Sequence, residues 1–265
     1  MNKFTSRNIF DIPIAAATLT EIPKIVTSFI ENQGKKTFFY VNSHCLNIAS
    51  RNREYKSILQ RASLVYSGGF GPVLASRLLG QPLPQRTPTP DFIEKVLRTA
   101  EKRGWSIYLL GTKLESLKRA IAKLKNKFPK LIINYHHGYF GHDDEERVIS
   151  DINSKQPTIL IIGMGTPKQE KFIAENMFKI NAHAFWAVGA LFDVISGELP
   201  RAPVWIQKLN LEWLFRLFQE PRRLWKRYLL GNINFLTLIF SSLIKGKLIN
   251  KSANLKLYPK QLINS

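Results

Sequence analysis

One cysteine in 265 residues, Cys45, excludes an internal disulfide and points to a reducing compartment. Metal signatures are missing too: there is no HExxH, no DxD and no Cys/His cluster. The five histidines, His44, His136, His137, His142 and His183, lack ligand spacing, and an adjacent pair such as His136–His137 is expected to point to opposite faces of a strand. The expectation is chemistry with neither a metal nor a bound cofactor. No apolar run reaches the ~20 residues that a spanning helix needs. The best candidate, 233–244, is short, and extending it backwards crosses Gly231-Asn232 and an Arg-rich segment. The apolar stretch 12–19 is also short, contains Pro13 and follows Asp11, which argues against a signal peptide. Internal repeats and low-complexity segments are absent.

Acidic residues are scarce as well, 19 Asp and Glu against 39 Lys and Arg, for a net charge of +20. The excess is clustered. From Arg201 onward there are twelve Lys and Arg against Glu212 and Glu220 alone. Such asymmetry implies a polyanionic partner, an acidic membrane surface or nucleic acid.

What is present is enough apolar character, 45%, for a full core. Strands are expected at 37–41, 63–66, 105–110, 131–135, 158–162 and 184–188. Helices are expected between them at 46–60, 72–79, 91–103, 114–128, 143–153 and 167–177. This alternation implies crossover units: an α/β, Rossmann-like, mostly parallel sheet with helices on both faces. Ligands of such sheets sit at the carboxyl ends of the strands, where this chain concentrates glycines, including Gly68, Gly69, Gly71, Gly111, Gly138, Gly163 and Gly165. The most informative turn is 158–170. An apolar strand enters Gly163-Met164-Gly165, and Pro167 opens a helix with Lys168, Gln169 and Glu170, whose first-turn amides favour an anion.

The texture changes near Pro203. Trp205, Trp213, Phe215, Phe218, Trp225, Tyr228 and Phe235 interleave with Lys208, Arg216, Arg222, Arg223, Lys226 and Arg227. Apolar groups that enter the acyl boundary beside cations that meet lipid phosphates make an interfacial helix. The expected division is a core at 1–202 and a basic amphipathic helical appendage at 203–265 that associates with an anionic membrane. The aliphatic run 229–249 suits lipid better than a wet nucleic-acid interface, so no nucleic acid is expected.

Linked segments then carry a resemblance: G-M-G-T-P-K-Q-E-K-F-I-A-E-N (163–176), V-G-A-L-F-D-V-I-S-G-E-L-P-R-A-P (188–203) and L-E-W-L-F-R-L-F-Q-E-P-R-R-L-W-K-R-Y (211–228). Weaker ones are V-N-S-H-C-L-N (41–47), P-L-P-Q-R-T-P-T-P-D (82–91) and H-G-Y-F (137–140). In this order they resemble the WecG/TagA/CpsF family of bacterial glycosyltransferases, over roughly residues 39–235. The resemblance implies a Rossmann-like fold and transfer of a sugar from a UDP-sugar to a polyprenyl-diphosphate-linked saccharide. The setting it implies is peripheral, on the cytoplasmic face of the membrane, in the synthesis of teichoic-acid linkage units, common antigen, capsule or exopolysaccharide. N-acetylmannosamine, its uronic acid, glucose and glucuronic acid are the sugars it allows, and relatives self-associate.

Inverting transfer needs a base for the acceptor hydroxyl, charge stabilisation for the leaving UDP, and exclusion of water. For the diphosphate the candidates are the amides at 163–169, Lys168 as a point charge, and Arg216, Arg222, Arg223 and Arg227. Gln169, Glu170, Asn42, Gly189 and Tyr139 are candidate contacts to uridine or sugar, and Arg86 to a diphosphate or an acidic sugar. The family places an aspartate, its proposed base, at a position that is Gly68 here, and a threonine where this chain has Tyr40. Glycine cannot take a proton. Asp91 and Asp193 are therefore the expected bases. The alternative is a catalytically impaired homologue that binds nucleotide sugar or lipid-linked glycan without turnover.

Overall fold

The computed structural model describes residues 4–32 and 34–256, with side chains to Ile244. A hairpin comes first, β1 (Ser6–Ile9) and β2 (Ile12–Ala15), then α1 (Ile22–Glu31). The hairpin, absent from the sequence expectations, turns at Phe10 and Asp11, both at positive φ (55° and 64°), as a two-residue turn between right-twisted strands requires. The core follows as β3 (Lys36–Val41), α2 (Ser43–Arg51), α3 (Arg53–Gln60), β4 (Leu64–Ser67), α4 (Phe70–Leu78), a 3₁₀ turn (Thr89–Asp91) and α5 (Ile93–Arg103). It continues as β5 (Ser106–Gly111), α6 (Leu114–Lys127), β6 (Ile132–His136), α7 (His142–Lys155), β7 (Ile159–Gly163), α8 (Lys168–Asn176), β8 (Ala184–Ala187) and α9 (Leu191–Ser196).

Strands β3 to β8 form one sheet in the order β4-β3-β8-β7-β5-β6, with every pairing parallel. Parallel strands are covered on both faces, so their residues serve two cores in alternation. Leu160 and Ile162 of β7 pack with α2, α3, α7 and α8, while Ile159 and Ile161 pack with α1, α5, α6 and α9. The α/β architecture expected from the sequence is the observed one.

Local chemistry sets the boundaries. The single helix expected at 46–60 is two. Asn42 caps α2 by accepting from the Cys45 amide (3.1 Å), and Asn52 caps α3 by accepting from Tyr55 (2.9 Å). Asn52 sits in extended backbone (φ −122°, ψ 104°) and so ends one helix while starting the next. Pro167 stands at the N-cap of α8 rather than inside its first turn. β6 ends at His136, so His136 and His137 do not oppose one another; their rings lie 4.4 Å apart and His136 Nδ1 meets the His137 carbonyl at 2.7 Å.

After Pro203 the chain is helical: α10 (Val204–Lys208), α11 (Glu212–Gln219), α12 (Pro221–Trp225), a π-helical turn (Lys226–Leu230) and α13 (Gly231–Lys256). Gly231-Asn232 does not interrupt the last of these, and the helical stretch Pro221–Ile244 is long and apolar enough to cross a membrane by length and composition. The apolar run read from the sequence as 233–244 is thus part of a longer continuous helix. One side of this helix is committed to the protein, because Leu224, Phe235 and Ile239 are buried and Asn47 Nδ2 donates to the Gly231 carbonyl (2.7 Å). Another side is bare: Leu229, Ile233, Leu236, Phe240 and Ile244 are all exposed. The end of the expected appendage, 257–265, lies outside the described residues.

Candidate active site

All six parallel strands end on one side, and the turns that follow β3, β4, β7 and β8 open there onto a cavity of ≈560 Å³. Its opposite wall is the C-terminal helical segment, which brings Arg216, Arg223, Arg227 and Tyr228 over the sheet ends. Cations dominate. Arg86, Arg201, Arg216, Arg223 and Arg227 line it against a single carboxylate, Glu212. Glu212 is itself engaged, by Arg86 Nη1 at 2.9 Å and Arg201 Nε at 3.2 Å. By contrast, Nε of Arg216 and of Arg227 is buried with no hydrogen-bond partner among the described residues. A buried guanidinium N–H left unpaired is costly, so this wall is arranged for an anion with several oxygens.

The floor is built around Tyr40, at the end of β3. Its ring fills the space in front of Gly68, where an added Cβ would stand 2.7 Å from Tyr40 Cδ2. Its hydroxyl end abuts Gly189, which sits at φ 61° and where an added Cβ would meet Tyr40 Oη at 2.4 Å. Tyr40 Oη reaches Thr166 Oγ1 (3.4 Å), which donates to Glu170 Oε1 (2.9 Å). Gln169 donates to the same oxygen (2.9 Å) and accepts from the Gly189 amide (3.0 Å). Gln169 and Glu170 are wholly buried, and burial pushes the Glu170 carboxyl above its usual range against the hydrogen bonds from Gln169 and Thr166. Burial likewise raises the Tyr40 phenol, with Cys45 and Glu170 adding to the effect, so Tyr40 is neutral at physiological pH.

The site residues expected from the sequence separate into groups. Asn42, Gly69, Gly71, Arg86, Gly165, Gly189, Arg216, Arg223 and Arg227 line the cavity together. Lys168 does not; its ammonium lies 5.5 Å over the Phe140 ring. Gln169 and Glu170 brace the floor from beneath instead of facing a ligand, and Pro167 and Arg222 are off the wall. Gly111, Gly138 and Gly163 bring three turns close together beside the cavity: a Cβ on Gly111 would stand 2.5 Å from the Gly163 carbonyl oxygen, and one on Gly138 2.8 Å from Gly111 Cα. Tyr139, next to them, is exposed.

Neither expected base faces the cavity. Asp91 is in an ion pair with Arg201, whose guanidinium also holds Glu212 and Gln207, so the aspartate fixes the junction between sheet and C-terminal helices. Asp193 accepts the Thr112 hydroxyl beside the clustered turns. Sequence reasoning missed Thr166, Glu212 and His44. The signal for His44 was its place two residues after Asn42, in the first helical turn beyond the carboxyl end of a strand.

A parallel α/β sheet with an arginine-walled cavity at its strand ends defines a Rossmann-like protein with a cationic candidate site. The chain matches the glycosyl transferase WecG/TagA/CpsF family over residues 7–248; it belongs to that family and is a glycosyltransferase. It is similar to the N-acetylglucosaminyldiphosphoundecaprenol N-acetyl-beta-D-mannosaminyltransferases of Staphylococcus aureus strains MW2 and MRSA252. Each is 29% identical over 242 residues, which is 91% of this chain and 92% of the relative.

Proposed function

We propose that the protein transfers a sugar, N-acetylmannosamine first among the candidates, from a UDP-sugar to a polyprenyl-diphosphate-linked N-acetylglucosamine, with inversion, in the synthesis of a cell-surface polymer. The observation that carries this reading is the set Arg216, Arg223 and Arg227 lining one cavity with the Gly165-Thr166 turn, two of their guanidinium nitrogens having no hydrogen-bond partner among the described residues. Such a set stabilises the charge that grows on a departing diphosphate, the role a divalent cation fills elsewhere. Turnover is accordingly expected to need no added metal. The acceptor class rests on the relatives' names, and the membrane setting on the exposed row Leu229, Ile233, Leu236, Phe240 and Ile244 beside the exposed Arg222 and Lys226. Two arginines of this helix, Arg223 and Arg227, face the cavity, which favours a helix lying on the cytoplasmic surface of the bilayer over one that crosses it.

A second reading, a homologue that binds without turnover, is favoured by one observation: Tyr40 fills the space in front of Gly68. UDP release by the purified protein separates the two. The assay uses a panel of UDP-sugars and a polyprenyl-diphosphate-linked N-acetylglucosamine in anionic vesicles. Acceptor-dependent release from one donor is expected. Binding of UDP with no release from any donor would overturn the transferase reading.

A further inference from the structure

Transfer requires a proton acceptor on the cavity wall, and the described residues offer very few. Asp91 and Asp193 face elsewhere and are engaged by Arg201 and Thr112. Glu170 is sealed beneath the floor. Glu212 reaches the cavity held by two arginines. Tyr40 is a neutral phenol that fills the niche beside Gly68. Of the wall side chains that make no hydrogen bond or ion pair among the described residues, Ser43 and Tyr228 offer only hydroxyls, which are poor proton acceptors, whereas His44, in the first turn of α2, offers an imidazole nitrogen on the same wall as Asn42 and the C-terminal arginines.

We propose that His44 is the catalytic base, taking the proton of the acceptor hydroxyl directly onto a free ring nitrogen. The inference rests on the transferase reading above. In the step, the acceptor O–H bond breaks and its proton goes to the imidazole. The oxygen forms a bond to the anomeric carbon of the donor sugar, and the anomeric carbon–phosphate oxygen bond breaks with its electrons passing to UDP. The imidazolium then returns the proton to solvent.

The surroundings suit the role. Asn42, Ser43 and Cys45 flank His44 on its own helix, and the Gly69–Gly71 turn carries no charge. The C-terminal segment contributes Arg227, with Arg216, Arg223 and Tyr228 on the same wall. Burial and then Arg227 lower the imidazole to about 4, so His44 is unprotonated at neutral pH. A diphosphate against Arg227 offsets that cation, and the imidazole becomes a stronger base once the donor is seated. His44 is thus primed by the substrate whose bond it helps to break.

The test is steady-state transfer by wild type and His44→Gln in the same vesicles, with UDP affinity measured separately. Wild-type turnover with a donor validates the reading on which the proposal depends; its failure is a failure of that reading and not of His44. Given an active wild type, the variant is expected to lose about 10²–10⁴-fold in kcat with UDP affinity within a few-fold. Free imidazole is expected to restore part of the loss in His44→Gly. The wild-type acid limb is expected at higher pH in kcat than in kcat/KM. A His44→Gln variant within threefold of wild type in kcat would overturn the proposal. So would coincident acid limbs in kcat and kcat/KM, a readout that needs no variant to fold.

Discussion

Substituting Gly68 tests how the niche of the missing carboxylate came to be closed. An added Cβ there would lie 2.7 Å from Tyr40 Cδ2, 3.0 Å from its Cβ and 3.1 Å from its Cγ. The first of these is roughly 1 Å inside the ~3.5–4.0 Å optimum for carbon pairs. The ring cannot swing along the strand end, because its hydroxyl abuts Gly189. Gly68→Ala is therefore an overpacking change, expected to cost about 1–3 kcal/mol. Tyr40→Thr removes a half-buried ring and is expected to cost about 2–4 kcal/mol, because the space opens onto solvent rather than a sealed core. Each change removes the obstacle to the other. The double variant is expected to be more stable than the sum of the singles by about 1–2 kcal/mol, the range for residues in contact. Urea unfolding of the four proteins in one buffer gives the coupling directly. Additivity within about 0.5 kcal/mol would refute the claim that Tyr40 and Gly68 are one packing unit. A glycosyltransferase that regained a carboxylate at position 68 would then need both changes together.

Asp91→Asn is expected to reduce stability by about 1–3 kcal/mol, since it strips a partner from Arg201 at the sheet–helix junction, while kcat falls less than tenfold; a loss of 10²-fold or more at unchanged stability would return Asp91 to the chemistry. Because the folded His44 value of about 4 lies below the ordinary value of ~6.5, the unfolded chain binds the proton first. Wild type should thus lose stability relative to His44→Gln as pH falls from about 6.5 through about 4, with no further divergence below; parallel urea midpoints across that window would show that the folded protein does not resist protonation there. Ile233→Ser with Phe240→Ser is expected to lower co-sedimentation with anionic vesicles at least tenfold while UDP affinity stays unchanged, and undiminished sedimentation would remove this helix face from the membrane contact. Arg227→Gln is expected to weaken UDP binding by about 1.5–3 kcal/mol, read by calorimetry, and equal affinity would place the diphosphate elsewhere.

The strand–helix alternation was legible because parallel strands buried on both faces read as short apolar runs, and all six lie within a few residues of where those runs stand. The hairpin was not legible: its turn needs positive φ at both Phe10 and Asp11, and although aspartate tolerates that conformation, phenylalanine gives no sign of it. Glycine-rich turns pointed to the correct end of the sheet, yet they did not distinguish ligand contact from packing. Gly69, Gly71, Gly165 and Gly189 line the cavity, whereas Gly111, Gly138 and Gly163 let neighbouring turns approach. The helix-start motif Gln169-Glu170 likewise reads as a ligand contact in one dimension and is a buried brace in three.

By itself the sequence determined the family, the parallel α/β class, the cationic C-terminal segment and the substitution of glycine for an expected base, because motifs and periodicity are properties of neighbours along the chain. The tertiary structure decided which charges are free to act. Asp91 is neutralised by a residue 110 positions away, Glu212 is shared between two arginines, and Tyr40 closes a niche by meeting glycines from two other turns. Whether a carboxylate is a base or a brace depends on what lies within a few ångströms of it, and only the fold brings those groups together.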